Sequence, residues 1–111
     1  MLPSEPQELR YLVADDGHMP FQAWFDRLHP QAAAKATIAL VRLGGGAVSA
    51  VKSVGEGVFE YRIDWGPGYR VYFGRDGARC VVLLTGGTKR RQSRDIARAR
   101  ALWAGYRRDA E

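Results

Sequence analysis

The chain has a single cysteine, Cys80, so no intramolecular disulfide can form; a lone thiol fits a reducing cytoplasm. Its two histidines, His18 and His29, have no cysteine or paired carboxylates at ligand spacing, which argues against a metal site. No apolar run approaches the roughly 20 residues that a membrane-spanning helix needs. The N-terminal stretch MLPSEPQELR lacks the apolar core of a signal peptide. Five prolines and 46% hydrophobic residues argue against a disordered chain, and no repeat, linker or low-complexity segment is present. Acidic side chains are the scarcer charge: 17 Lys and Arg stand against 12 Asp and Glu, and the net charge of +5 suits an anionic partner. No segment joins a basic face to a broad apolar face free of the core, so a membrane surface is a poor partner. A chain of this length, 1–111, is expected to form one domain.

Hydrophobic periodicity divides the chain into elements. Leu9, Tyr11 and Val13 alternate over 8–14 and predict a strand ended by Asp15-Asp16-Gly17. Pro20 suits a first helical position, and Phe21, Trp24, Phe25 and Leu28 follow at i, i+3, i+4 and i+7. Pro30 starts a second helix, with Ala34, Ile38 and Val41 expected as its buried stripe and Gly44-Gly45-Gly46 as its stop. A β-hairpin comes next, then a strand over 78–85 whose CVVLLT run is apolar on both faces and so belongs inside the sheet; Gly86-Gly87 is expected to end it. Ser93 is expected to cap a last helix striped by Ile96, Ala99, Trp103 and Tyr106. The order β-α-α-β-β-β-α predicts an α+β fold.

The hairpin, VGEGVFEYRIDWGPGYRVYF over 54–73, carries the most information. Phe59, Tyr61, Ile63 and Trp65 alternate with Glu60, Arg62 and Asp64, and Arg70 falls among Tyr69, Val71 and Phe73. Aromatic residues can therefore bury on one face while an ionic row lies on the other. For Asp64 and Arg70 to share the polar face, Trp65 is expected opposite Tyr69, with Gly66-Pro67-Gly68 as a three-residue loop. Asp64 then faces Arg70, and Arg62 faces Tyr72. The plain reading of that row is a cross-strand ion pair and solvated surface. The other reading is a polyanion site on a rigid hairpin. The run Lys89-Arg90-Arg91 with Arg94 and Arg98 begins where the interior strand ends, and could converge with Arg62 and Arg70 because both belong to one sheet. None of the glycine-rich segments matches a GxxxxGK[ST] phosphate loop, Ser49, Ser53 and Ser93 lack triad partners, and Cys80 reads as a small core residue.

GVFEYRID…GPGYRVYF followed by VVLLTGGTKRRQSRDIARARALW resembles the addiction-module killer proteins, the HigB-type branch of the RelE/ParE toxin superfamily, over about 24–106. The resemblance implies a RelE-like fold, a curved and mainly antiparallel sheet with helices on one side. It also implies a cognate HigA-like helix-turn-helix antitoxin, and a metal-independent, cofactor-free endoribonuclease acting on mRNA in the ribosome. That chemistry deprotonates a 2′-hydroxyl, stabilises a pentacoordinate phosphate and protonates a 5′-oxygen, and nearby cations supply its electrostatic part. By resemblance Arg62 and Arg70 hold the scissile phosphate, and Lys89 or Arg90 adds a further contact. Lys52, Arg90, Arg91 and Arg94 are expected RNA contacts, and Glu60 the general base with Glu56 behind it. The RelE prototype carries a lysine where this chain has Asp64, and a base-stacking tyrosine where Ser93-Arg94-Asp95-Ile96 stand here. The same fold also serves ParE-like inhibitors that block a protein target such as gyrase without chemistry, so both functions stay open at this point. A phage-derived structural protein is a third, weaker option.

Overall fold

The computed structural model describes residues 6–46 and 49–110; the first five residues of the MLPSEPQELR stretch lie outside these. The element order is β1 (Glu8–Tyr11), α1 (Pro20–Asp26), α2 (Pro30–Gly44), β2 (Val51–Ser53), β3 (Phe59–Ile63), β4 (Tyr69–Arg75), β5 (Cys80–Thr88), a 3-10 turn (Lys89–Arg91) and α3 (Gln92–Ala110). The five strands form one mixed sheet ordered β1-β5-β4-β3-β2, in which β1 runs parallel to β5 and every other pair is antiparallel. The α+β class stands, with one strand more than expected: β2 pairs with β3 and sets Lys52 opposite Glu60.

Helices cover both faces of the sheet, where the resemblance implied one. The α1 and α2 side buries Phe21, Trp24, Tyr61, Ile63, Val71, Phe73 and Leu83, and the α3 side buries Tyr72, Val82, Leu84, Ala99 and Trp103. The physical reason lies in β4 and β5, which are apolar on both faces and must be dried on both.

Helix α2 sits rotated from its expected setting. Ala32, Ala36, Ala39 and Leu43 face the sheet, while Ile38 and Val41 are 46% and 70% exposed and Ala34 is exposed too. Small residues at the contact let the helix lie close over the bulky Tyr61 and Ile63, a choice that periodicity alone does not register. The His29 imidazole caps this helix, its Nδ1 accepting from the Ala32 amide at 3.4 Å, and His18 lies exposed on the surface. Cys80 is buried as expected, and burial pushes its thiol up.

Gly86 and Gly87 do not end β5; the strand continues through them to Thr88. They point to opposite faces, and each admits a side chain that a Cβ would overlap: the Trp24 ring against Gly86 and the Asp95 carboxylate against Gly87. Gly74 on β4 receives the Trp103 ring in the same way, 2.5 Å from where a Cβ would stand. Gly74→Ala and Gly86→Ala are each expected to cost about 1–3 kcal/mol through overpacking, read as a lower urea midpoint at unchanged slope. Ser93 caps nothing, because the chain turns helical at Lys89 and Ser93 already lies inside α3.

Candidate functional site

The β3–β4 connection is longer than expected. Ile63 pairs with Tyr69, Arg62 with Arg70, Tyr61 with Val71 and Glu60 with Tyr72, leaving residues 64–68 outside the ladder. Pairing slides by two residues, so every side chain keeps its expected face while its partner changes. Asp64 does not oppose Arg70, and Arg62 does not oppose Tyr72. The turn closes early, with the Trp65 amide donating to the Ile63 carbonyl and the Gly68 amide to the Trp65 carbonyl, both at 3.0 Å. Gly66 and Gly68 take the left-handed φ values of 57° and 80° that this requires. The Trp65 ring drives the departure: it stacks on Tyr69 at 6.2 Å and approaches His29 at 5.9 Å, drawing the chain toward the α2 side.

Arg62 and Arg70 therefore face one another directly across the ladder. Like charges in that position repel, and an anion between them relieves the repulsion. Around them opens a cleft of about 510 Å³ lined by Lys52, Arg62, Asp64, Arg70, Lys89 and Gln92, with the 64–68 turn as its rim. Four cations from β2, β3, β4 and the start of the 3-10 turn meet there, and Asp64 is the one carboxylate among its lining residues. The structure thus brings together Arg62, Arg70, Lys89 and Lys52. Arg90, Arg91 and Arg94 line a neighbouring concavity that shares only Lys89 and Gln92 with the cleft.

Glu60 differs from its expected role. Its side chain is fully buried beneath the cleft, and its carboxylate lies 3.5 Å from the Arg70 guanidinium and accepts from Gln92 Nε2 at 2.8 Å. A carboxylate without contact to the cleft has no route to a ribose hydroxyl, so Glu60 holds Arg70 in place instead of serving as a base. Glu56, expected behind it, is exposed on the β2–β3 connection and pairs with Arg100 at 3.4 Å. Arg70, 5% exposed, also donates from Nη1 to the Tyr69 carbonyl at 3.1 Å. Both contacts restrain the guanidinium, so a bound anion would meet a preset charge. Burial, reinforced by the Glu60 carboxylate opposite, holds the Tyr72 hydroxyl well above the usual tyrosine range. Burial likewise raises Asp95, against the pull of Arg94, Arg91 and Arg98.

Gln92 and Asp95, which carry no expected role, help to build the site. Their spacing was the available signal. Three residues apart on α3, they share the face turned to the sheet, where Gln92 meets Glu60 and Asp95 seats on Gly87. The segment GGTKRRQSRD over 86–95 thus docks the start of α3 onto β5 and carries Lys89 to the cleft. Trp65, expected on the buried aromatic face, packs against the core and also lines the cleft. Among the described residues no helix is long and apolar enough to cross a membrane.

No protein-family model matches the chain. A protein of Haemophilus influenzae described only as uncharacterized is 41% identical over 85 residues, spanning 76% of this chain and 86% of that protein. At that identity and coverage, the chain belongs to the same family as this Haemophilus influenzae protein.

Proposed function

We propose that this chain is the toxin of a type II toxin–antitoxin module of the RelE/HigB kind, with a RelE-like topology, and that it cleaves mRNA in the ribosome without a metal. The observation that carries the reading is the meeting of Arg62, Arg70, Lys89 and Lys52 in one cleft, with Arg62 and Arg70 opposed across a ladder. A phosphodiester seated between the two arginines would satisfy both, and the charge that builds on its oxygens in the transition state would strengthen the contact. Asp64 is placed to accept the 2′-hydroxyl proton, since it is the carboxylate on the cleft wall. The 2′-oxygen then attacks the adjacent phosphorus, the bond to the 5′-oxygen breaks, and the Lys89 ammonium returns a proton to that oxygen. The products are a 2′,3′-cyclic phosphate and a free 5′-hydroxyl. Arg90, Arg91 and Arg94 would hold flanking RNA or ribosome, and a HigA-like helix-turn-helix antitoxin would neutralise the protein.

Inducing the protein in growing cells is expected to produce new 5′ ends within translated messages, mapped by primer extension. A second reading, a ParE-like inhibitor of a protein target, draws on the Arg70–Glu60 pairing, which engages one of the cations internally. Intact transcripts together with trapped DNA–gyrase complexes would favour that reading over cleavage.

A further inference from the structure

The cleft does not end at Arg62. A second concavity of about 380 Å³ lies between α2 and the β2–β3 edge, and it shares Arg62, Asp64 and Trp65 with the cleft. Lys35, Ile38 and Arg42, at i, i+3 and i+7, turn one face of α2 toward it. Lys35 Nζ stands 5.7 Å from the centroid of the Trp65 ring, so an aromatic surface and a cation meet where groove and cleft join. We infer that this groove is a further nucleotide subsite, which carries a single RNA strand away from the cleft and over the exposed side of α2. The inference rests on the nucleic-acid reading of the cleft and extends it to a strand several nucleotides long.

Charge distribution selects the occupant. Lys35, Arg42 and Arg62 in the groove face only Asp64 among its lining residues. A concavity of comparable size, about 470 Å³, lies between the end of β1 and the end of α3, where Arg10 and Arg108 are balanced by Asp15 and Asp109. The excess positive charge is therefore gathered along the groove, the cleft and the Arg90–Arg91–Arg94 concavity beyond it. Cations interleaved with an exposed isoleucine and a tryptophan are what a single strand uses, phosphates on the cations and bases against the apolar groups. Continuity with the cleft favours RNA over an acidic protein segment, because one strand can then run through all three concavities.

The test is fluorescence anisotropy with uncleavable 2′-O-methyl RNA, a trinucleotide against a decanucleotide, titrated across salt. Lys35→Gln with Arg42→Gln removes two cations while keeping good helix formers on the surface of α2. Each lost phosphate contact lowers the single-strand salt slope by about 0.7, so the double variant is expected to lose about 1.4 for the decanucleotide and nothing for the trinucleotide. Arg107→Gln with Arg108→Gln, about 22 Å along α3 from Gln92 at ~1.5 Å per residue, is the charge-matched control and is expected to leave the slope unchanged. An equal fall in the control, or no gain in affinity from trinucleotide to decanucleotide in the parent, overturns the groove while leaving the cleft reading intact. An unchanged RNA slope with lost binding of an oligo-glutamate peptide overturns it in favour of a protein partner. Failure of the parent protein to bind either RNA sinks the cleft reading, and the groove with it.

Discussion

Arg62→Ala is expected to lower mRNA cleavage about 100-fold, the usual effect of removing one preorganised donor from a developing phosphate charge. Growth arrest on induction should be relieved to match. Arg62 is exposed, so its loss is expected to shift stability by no more than about 0.5 kcal/mol. Removing one of two opposed arginines even eases a repulsion across the ladder. Function and folding therefore separate at this residue, which makes it the cleanest probe of the cleft. Arg62→Lys should fall between the two, keeping a charge and losing the planar fork. Primer extension gives the cleavage readout, and a urea titration of the purified variant confirms that it folds. Full cleavage by a folded Arg62→Ala protein would remove Arg62 from the chemistry.

Arg70→Ala is expected to behave differently, because it leaves a fully buried Glu60 carboxylate without its cation. Breaking one side of a buried ion pair costs about 3–5 kcal/mol, most of it the penalty of the stranded charge. At roughly 4 °C per kcal/mol for a domain of this size, the midpoint should drop by more than about 10 °C. The variant would relieve growth arrest simply by failing to fold, so that phenotype alone says nothing about phosphate contact. Glu60→Gln added to Arg70→Ala should recover part of the loss, since a neutral amide needs no counter-ion and can still bond Gln92. Calorimetry on the two variants decides the point. A double variant that folds and still fails to cleave would tie Arg70 to the chemistry; equal midpoints for single and double would show that the stranded Glu60 charge is not the source of the loss.

These two arginines also mark how far pattern reading reaches. Side-chain alternation correctly put Arg62, Arg70 and Glu60 on one face, because the period of a strand is set by backbone geometry. The expected pairing was off by two residues, because the loop length depends on where Trp65 finds its partners, and those lie on β4, on α2 and at the cap of α2. Burial of the ionic row was equally hidden. Nothing local to FEYRID says that α3 will cover Glu60 and Arg70 and leave Arg62 at the surface. Ala32, Ala36, Ala39 and Leu43 form the inner face of α2, whereas the expected stripe of Ala34, Ile38 and Val41 lies outside because hydrophobicity ranks side chains without knowing the spacing between layers.

Element type, the interior position of the CVVLLT strand and the cationic character of the chain follow from composition and period, which are properties of local sequence. The grouping of Lys52, Arg62, Arg70 and Lys89 comes from four separate elements, and the demotion of Glu60 from base to anchor comes from the helix above it. Only the tertiary structure decided those two things. Convergence and burial depend on which surfaces the folded chain brings into contact, and a backbone repeat of two or 3.6 residues carries no record of that.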